Sequence, residues 1–314
     1  MLKKSRSGIF LLILLSVLGK VVSAQSLPMG GQFYQNQYLG NPAFAGIGRG
    51  LNVNVHYRNQ WRVLEGSPVA QAVTGDYRLT KAGQENVGLG MVIYNEKAGL
   101  IGRTHVSGSY AYHLPLNDAS QSLHFGISLG IFTDRLENSE IIADPDDKWA
   151  SDFNLRKTYL DGDFGLGYTN EKLTIQGALP NLKTLLKKDV SNAVGSSSAL
   201  LACSYRISKS LDAVVFEPKL SVQSFRGTGA IWSLGSNVVT FNNMVSLMGM
   251  YQSNNRTTLG MGLSYDKYQL QGFYTGQREA MGGDFEISLR VHLFDKESAQ
   301  NKGGDFTYKP WSSQ

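Results

Sequence analysis

"TTLGMGLSYDKYQLQGFYT" (residues 257–275) sets Leu259, Met261, Leu263 and Tyr265 at every second position, then resumes after Asp266 and Lys267 with Tyr268, Leu270 and Tyr274. A period of two places these side chains on one face of a β-hairpin. The other face carries Gly260, Gly262, Ser264, Gln269 and Gln271. These residues are small or uncharged, whereas the solvated face of a soluble sheet is usually rich in charge. An apolar face backed by a small, neutral one suits a barrel wall between lipid and a crowded lumen.

The same alternation runs along most of the chain. Leu51, Val53, Val55 and Tyr57 interleave with Asn52, Asn54, His56 and Arg58, and Leu123, Phe125, Ile127, Leu129 and Ile131 with His124, Gly126, Ser128 and Gly130. Comparable patterns fall near residues 50–58, 67–79, 86–94, 103–114, 121–133, 161–169, 172–180, 197–207, 212–224, 229–240, 243–252, 256–265, 268–275 and 283–294. They predict about fourteen strands. Soluble sandwiches and propellers also bury alternating faces. Inward candidates such as Gly88, Gly90, Ser107, Ser109, Gly165 and Gly167 favour the membrane barrel. So do Tyr57, Tyr77, Tyr110, Tyr112, Tyr168, Tyr205, Tyr265 and Tyr268 near strand ends, as in interfacial aromatic girdles. Every second connection is short ("PLNDAS", "TNEK", "DK"), and the intervening set includes the long stretches around 134–160 and 180–196. That asymmetry matches periplasmic turns and external loops. Within the second long stretch, "NLKTLLKKDV" spaces Leu182, Leu185, Leu186 and Val190 for one short amphipathic helix.

The N-terminus reads separately. Lys3, Lys4 and Arg6 precede "IFLLILLSVLG", and Val22-Ser23-Ala24 supplies small residues before Gln25. This predicts a secretory signal peptide over 1–24, cleaved between Ala24 and Gln25. Its apolar run is too short for a comfortable membrane span. Removing it takes Lys3, Lys4, Arg6 and Lys20, leaving 26 of 30 basic residues against 25 acidic ones. No excess of cations remains to neutralise phosphates, which excludes nucleic acid as a partner. A lone Cys203 forms no internal disulfide.

Seven stretches stand out beyond the alternation: "QFYQNQYLGNPAFAG" (32–46), "YRNQW" (57–61), "VGLGMVIYNEKAGLI" (87–101), "YAYHLPL" (110–116), "LHFGISLGIF" (123–132), "DPDD" (144–147) and "LTIQGALPNL" (173–182). Together they resemble the PorP/SprF family of type IX secretion outer-membrane proteins. The resemblance implies an outer-membrane barrel of a Gram-negative bacterium working in type IX secretion and gliding motility. Its implied partners are periplasmic or outer-membrane secretion subunits or a surface adhesin, with no reaction and no cofactor. It also implies partner contacts through Asn41, Pro42, Phe44, Arg58 and Trp61. The resulting organisation is a signal peptide (1–24), a periplasmic N-terminal segment (25–49), a single antiparallel barrel (50–294) and a polar periplasmic tail (295–314). The alternative is a transporter for small hydrophobic solutes, since a barrel of this size encloses a pathway.

Chemical sites are weakly signalled. Asp144, Asp146 and Asp147 have carboxylates for a hard cation, but Asp-Pro in a long loop equally makes a turn. Arg58 is expected to pair with Asp76 on the next strand rather than meet a ligand. Ser109 with His113, and Ser128 with His124, share inward faces and supply the elements of a hydrolase, although a serine-rich barrel produces such pairs by chance. The histidines lack metal-ligand spacing, and the chain is expected not to be an enzyme.

Overall fold

The structure is a computed structural model. It describes residues 30–31, 35–48, 50–61, 66–79, 86–116, 121–136, 158–186, 197–208, 214–225, 229–240, 243–277 and 282–294. Fourteen antiparallel strands lie among these residues and close into a barrel. They are β1 (Leu51–Asn59), β2 (Val69–Arg78), β3 (Val87–Ala98), β4 (Ile101–Pro115), β5 (Ser122–Leu136), β6 (Thr158–Thr169), β7 (Leu173–Leu179), β8 (Ser197–Tyr205), β9 (Val215–Phe225), β10 (Gly229–Thr240), β11 (Val245–Gln252), β12 (Arg256–Tyr265), β13 (Tyr268–Gln277) and β14 (Asp284–Leu293). Each strand pairs with its sequence neighbours, and β1 pairs with β14, from Leu51 opposite Leu293 to Asn59 opposite Phe285. Closure satisfies every edge, as a structure surrounded by hydrocarbon requires.

Alternation decides which way each side chain points. In the β12–β13 hairpin, Leu263 opposes Leu270 and Tyr265 opposes Tyr268, while Asp266 takes the tight turn at φ 51°. The outward residues Leu259, Met261, Leu263, Leu270 and Tyr274 are exposed, Leu259 at 63%. Gln271 points inward and is 4% exposed. Outward Leu, Ile, Val, Met and Phe residues on nearly every strand form an apolar band far beyond what a soluble monomer leaves bare. Tyr112, Tyr205, Tyr265 and Tyr268 ring the end where β1 starts and β14 finishes, called the terminal end here; Tyr57, Tyr251, Tyr274 and Phe285 ring the far end. Connections at the terminal end include the two-residue turn 266–267 and the turn 170–172, whereas at the far end β5 ends at Leu136 with β6 beginning at Thr158, and β7 ends at Leu179 with β8 beginning at Ser197. Short turns mark the periplasmic side of such barrels.

The amphipathic helix expected after β7 is present as one short turn, Leu182–Leu186. Leu186 is 79% exposed, so its predicted apolar face is not packed throughout. The larger departure is at the N-terminal side. Residues 35–48, expected to lie in the periplasm, are inside the barrel: helix α1 (Gln37–Gly40) and a 3-10 turn (Pro42–Phe44) pack against the inner faces of β3 to β6. Polar lumen walls offer hydrogen-bond partners that a free segment would take from water, and the segment is built of residues that use them.

Candidate functional site

The lumen and its plug are the one place where the inward chemistry converges. Asn41 organises the plug at its turn. Its Oδ1 accepts from the backbone N–H of Ala43 at 3.0 Å, capping the 3-10 turn, with Pro42 at the first position where no N–H is needed. Its Nδ2 donates to the backbone oxygens of Leu166 (3.0 Å) and Gly177 (3.2 Å) and to Gln176 Oε1 (3.3 Å). A single buried amide therefore ties the plug to β6 and β7. Asn36 Nδ2 donates to Thr74 Oγ1 at 2.9 Å, and Tyr38 Oη donates to Ser109 Oγ at 3.0 Å. Burial pushes the Tyr38 phenol above its ordinary pKa, keeping it a donor. Gly46, at φ 65°, turns the chain toward β1, and its N–H donates to Asp76 Oδ2 at 3.1 Å.

The inward glycines form the mould for this segment. A Cβ on Gly126 would lie 2.2 Å from Ala43 N and Pro42 C, and one on Gly165 1.9 Å from Asn41 Oδ1. On Gly88 it would lie 1.9 Å from the Ala45 carbonyl oxygen, and on Gly90 2.3 Å from Tyr38 Oη. Phe44 lies over Gly167 and beside the His124 ring, at a centroid distance of 5.9 Å. The missing side chains on β3, β5 and β6 are the space that the plug occupies.

Under the plug, His113 and His124 meet Nδ1 to Nδ1 at 2.8 Å. The neutral pair has one consistent proton arrangement. A carbonyl oxygen only accepts, so His113 Nε2 donates to Ala45 O at 3.0 Å. His113 Nδ1 is then the acceptor, His124 Nδ1 the donor, and His124 Nε2 accepts from Thr169 Oγ1 at 2.8 Å. The chain from Thr169 through two imidazoles to Ala45 fastens the plug's backbone to β4, β5 and β6.

Charges gather toward the far end. Arg256 is hydrogen-bonded to Asp284 in a buried ion pair, and Asp284 also accepts from Gln60 Nε2 (3.2 Å) and Trp61 N (3.4 Å). His56 Nε2 lies 3.4 Å from Glu286 Oε2, and Glu286 Oε1 accepts from the backbone N–H of Gly31 at 3.1 Å. Arg58 is 4.0 Å from Glu96, which also meets Arg103 at 3.9 Å. The expected Arg58–Asp76 pair is replaced by these contacts, because the register sets Asp76 opposite Asn52 and Arg58 opposite Ala70. Asn52 Nδ2 donates to Asp76 Oδ2 at 3.1 Å.

The remaining expectations separate clearly. Asn41, Pro42, Phe44 and Arg58 are buried, Asn41 at 0%, so they hold the plug and the lumen rather than present an exposed contact surface. Trp61 is half-buried at the far end of β1. Ser109 is engaged by Tyr38, and Ser128 donates to Asp163 at 2.5 Å; neither hydroxyl bonds a histidine. Asp144, Asp146 and Asp147, the cleavage positions Ala24 and Gln25, and the tail 295–314 lie outside the described residues. Among the described residues, no cluster of His, Cys, Asp and Glu is arranged to hold a metal. Sequence reasoning missed the plug and its Asn41 anchor, although inward glycines on β3, β5 and β6 signalled that something approaches that wall.

A closed fourteen-stranded wall with an apolar outer band, two aromatic rings and a polar, occupied lumen defines an outer-membrane-type β-barrel. The family model for the type IX secretion system membrane protein PorP/SprF matches residues 22–291, and the chain belongs to that family. Among solved structures, the Acinetobacter baumannii outer membrane protein Omp33 is similar at 6% identity and a TM-score of 0.48, covering 79% of this chain and 100% of its own. The CymD monoaromatic hydrocarbon channel is similar at 12% identity and a TM-score of 0.43, covering 86% and 93%. No curated protein matches the sequence.

Proposed function

We propose that the protein is a docking component of the type IX secretion and gliding machinery in the outer membrane of a Gram-negative bacterium. It reaches that membrane through the leader over 1–24 and engages periplasmic or outer-membrane secretion subunits, or a surface adhesin, without chemistry of its own. The observation that carries this reading is the plug. Residues 35–48 fill the wall from β3 to β6, and the cavity left beside them is about 140 Å³, with polar and charged residues in its lining. A pathway for small hydrophobic solutes would call for an open, apolar-lined route. The nitrogens of His113 and His124 are occupied by each other, Ala45 and Thr169, which speaks against a lumen hydrolase.

Crosslinking in intact cells followed by purification of the barrel tests the proposal. Recovery of secretion subunits or an adhesin is expected. Recovery of the barrel alone, under conditions that preserve other type IX complexes, would refute it. Solute-dependent conductance through the wild-type barrel in planar bilayers would favour transport instead.

A further inference from the structure

The plug covers one wall of the lumen and leaves the other open at the terminal end. The space between α1 and the terminal-end halves of β1, β2, β6, β7, β9, β10, β13 and β14 is the cavity of about 140 Å³. Its mouth carries two cations held side by side. Lys172 closes the turn 170–172, where Asn170 Oδ1 accepts from the backbone N–H groups of Lys172 (2.9 Å) and Leu173 (2.7 Å). Arg206 follows β8, and its backbone N–H donates to the Lys172 carbonyl at 2.6 Å. Deeper in the lining are Lys219 and Arg290, opposed by Glu217 and Asp76. Lys219 Nζ lies 3.3 Å from Glu217, while Asp76 receives Asn52 and Gly46. By formal count the lining carries four cations against two carboxylates, with Glu217 facing both Lys219 and Arg206. Lys172 is exposed at the mouth, next to Glu171 in the same turn.

We infer that this vestibule is a binding site for an acidic polypeptide segment, entering from the terminal end and placing one or two carboxylate side chains between α1 and the strands that face it. The inference rests on the docking role and names the contact through which that role operates. Two observations choose a peptide over a free anion. A space of this size holds a side chain or two, well short of the roughly 300 Å³ of a small-molecule pocket, so most of the ligand lies outside it. The plug's own amides, Gln35, Asn36 and Gln37, line the cavity and match the hydrogen bonding of a peptide backbone. The lumen already holds one irregular polypeptide in this way, through Asn36 and Asn41. The mouth opens inside the ring of strands rather than on the apolar outer face, so the ligand arrives from the aqueous side.

The test uses the full-length barrel in detergent micelles, with fluorescein-labelled hexaglutamate as probe and hexalysine as comparator. Saturable binding of hexaglutamate alone is expected. It should weaken steeply as ionic strength rises, since screening shortens from about 10 Å at 0.1 M to about 3 Å at 1 M. Combined Lys172→Glu and Arg206→Glu should weaken binding at least tenfold, and Lys183→Glu at the far end should leave it unchanged. Heat-modifiable electrophoretic mobility reports folding, and the salt dependence of the wild type tests the site without any variant. Equal binding by wild type and the double variant overturns the inference, as does tighter capture of free citrate than of hexaglutamate. If crosslinked partners are recovered while hexaglutamate is ignored, the vestibule assignment falls and the docking role stands. If hexaglutamate binds and no partner is recovered, the vestibule assignment stands and the docking role falls.

Discussion

Placing methyl groups in the plug's mould, by Gly126→Ala together with Gly165→Ala, should release the plug while leaving the wall intact. The atoms nearest each methyl belong to the plug: Ala43 N and Pro42 C at 2.2 Å for the first, and Asn41 Oδ1 at 1.9 Å for the second. Ordinary carbon contacts lie near 3.5–4.0 Å, so the segment must retreat by about 1.5 Å. Hydrogen bonds now at 3.0–3.3 Å from Asn41 to Leu166, Gln176 and Gly177 are lost at that displacement, and that from His113 to Ala45 is strained. At about 1 kcal/mol net each, losing three to four weakens plug retention by roughly 3–4 kcal/mol. That is at least about a hundredfold in the plugged-to-open ratio, since about 1.4 kcal/mol is tenfold. Alanine itself is no burden on a strand, where it is favoured over glycine by about 0.5–1 kcal/mol. Single-channel recording in planar bilayers should show a silent wild type and long open events in the variant. A variant that migrates as a folded barrel and stays as silent as the wild type would refute the mould.

Breaking the imidazole relay should loosen the same plug. In His113→Phe the Ala45 carbonyl loses its donor and His124 Nδ1 its acceptor, so two hydrogen bonds that fasten the plug are removed at about 1 kcal/mol each. Protease access to residues 35–48 should rise in this variant, and access equal to that of the wild type would show that the relay does not hold the plug. At the far end, Asp284→Ala leaves the buried Arg256 guanidinium uncompensated and should cost about 3–5 kcal/mol in denaturant unfolding, much of it recovered when Arg256→Met is added. An undiminished midpoint for the single variant would show the pair to be hydrated. On the outer face, Leu259→Arg should destabilise the folded barrel in bilayers by about 2–4 kcal/mol; a negligible effect would mean that this position lies outside the hydrocarbon.

The wall was legible because a barrel writes its two environments into a period of two. Leu259, Met261 and Leu263 face out, and their neighbours Gly260, Gly262 and Ser264 face in, with no long-range information required. Strand bounds followed within a few residues for the same reason. The plug was not legible from its own residues. Asn41, Pro42 and Gly46 announce a turn, and the turn is there, but turn chemistry is local and says nothing about which surface receives it. The information lay on the receiving side. Gly88, Gly90, Gly126, Gly165 and Gly167 all point inward on strands that the closed sheet brings together, and the sequence displays them as two distant pairs and a single glycine. Arg58 failed differently: its nearest carboxylate depended on register, which set Asp76 six rungs away.

The plug's course also bears on how the barrel is put together. Gly31 touches Glu286 near the start of β14, Asp76 receives Gly46 on β2, and the chain then passes directly into β1. One short segment therefore holds strands on both sides of the β1–β14 seam. Once that seam has zipped, residues 35–48 are ringed by backbone pairing, and through Gln35 and Gly46 the plug acts as a clasp across the joint between the last strand and the first.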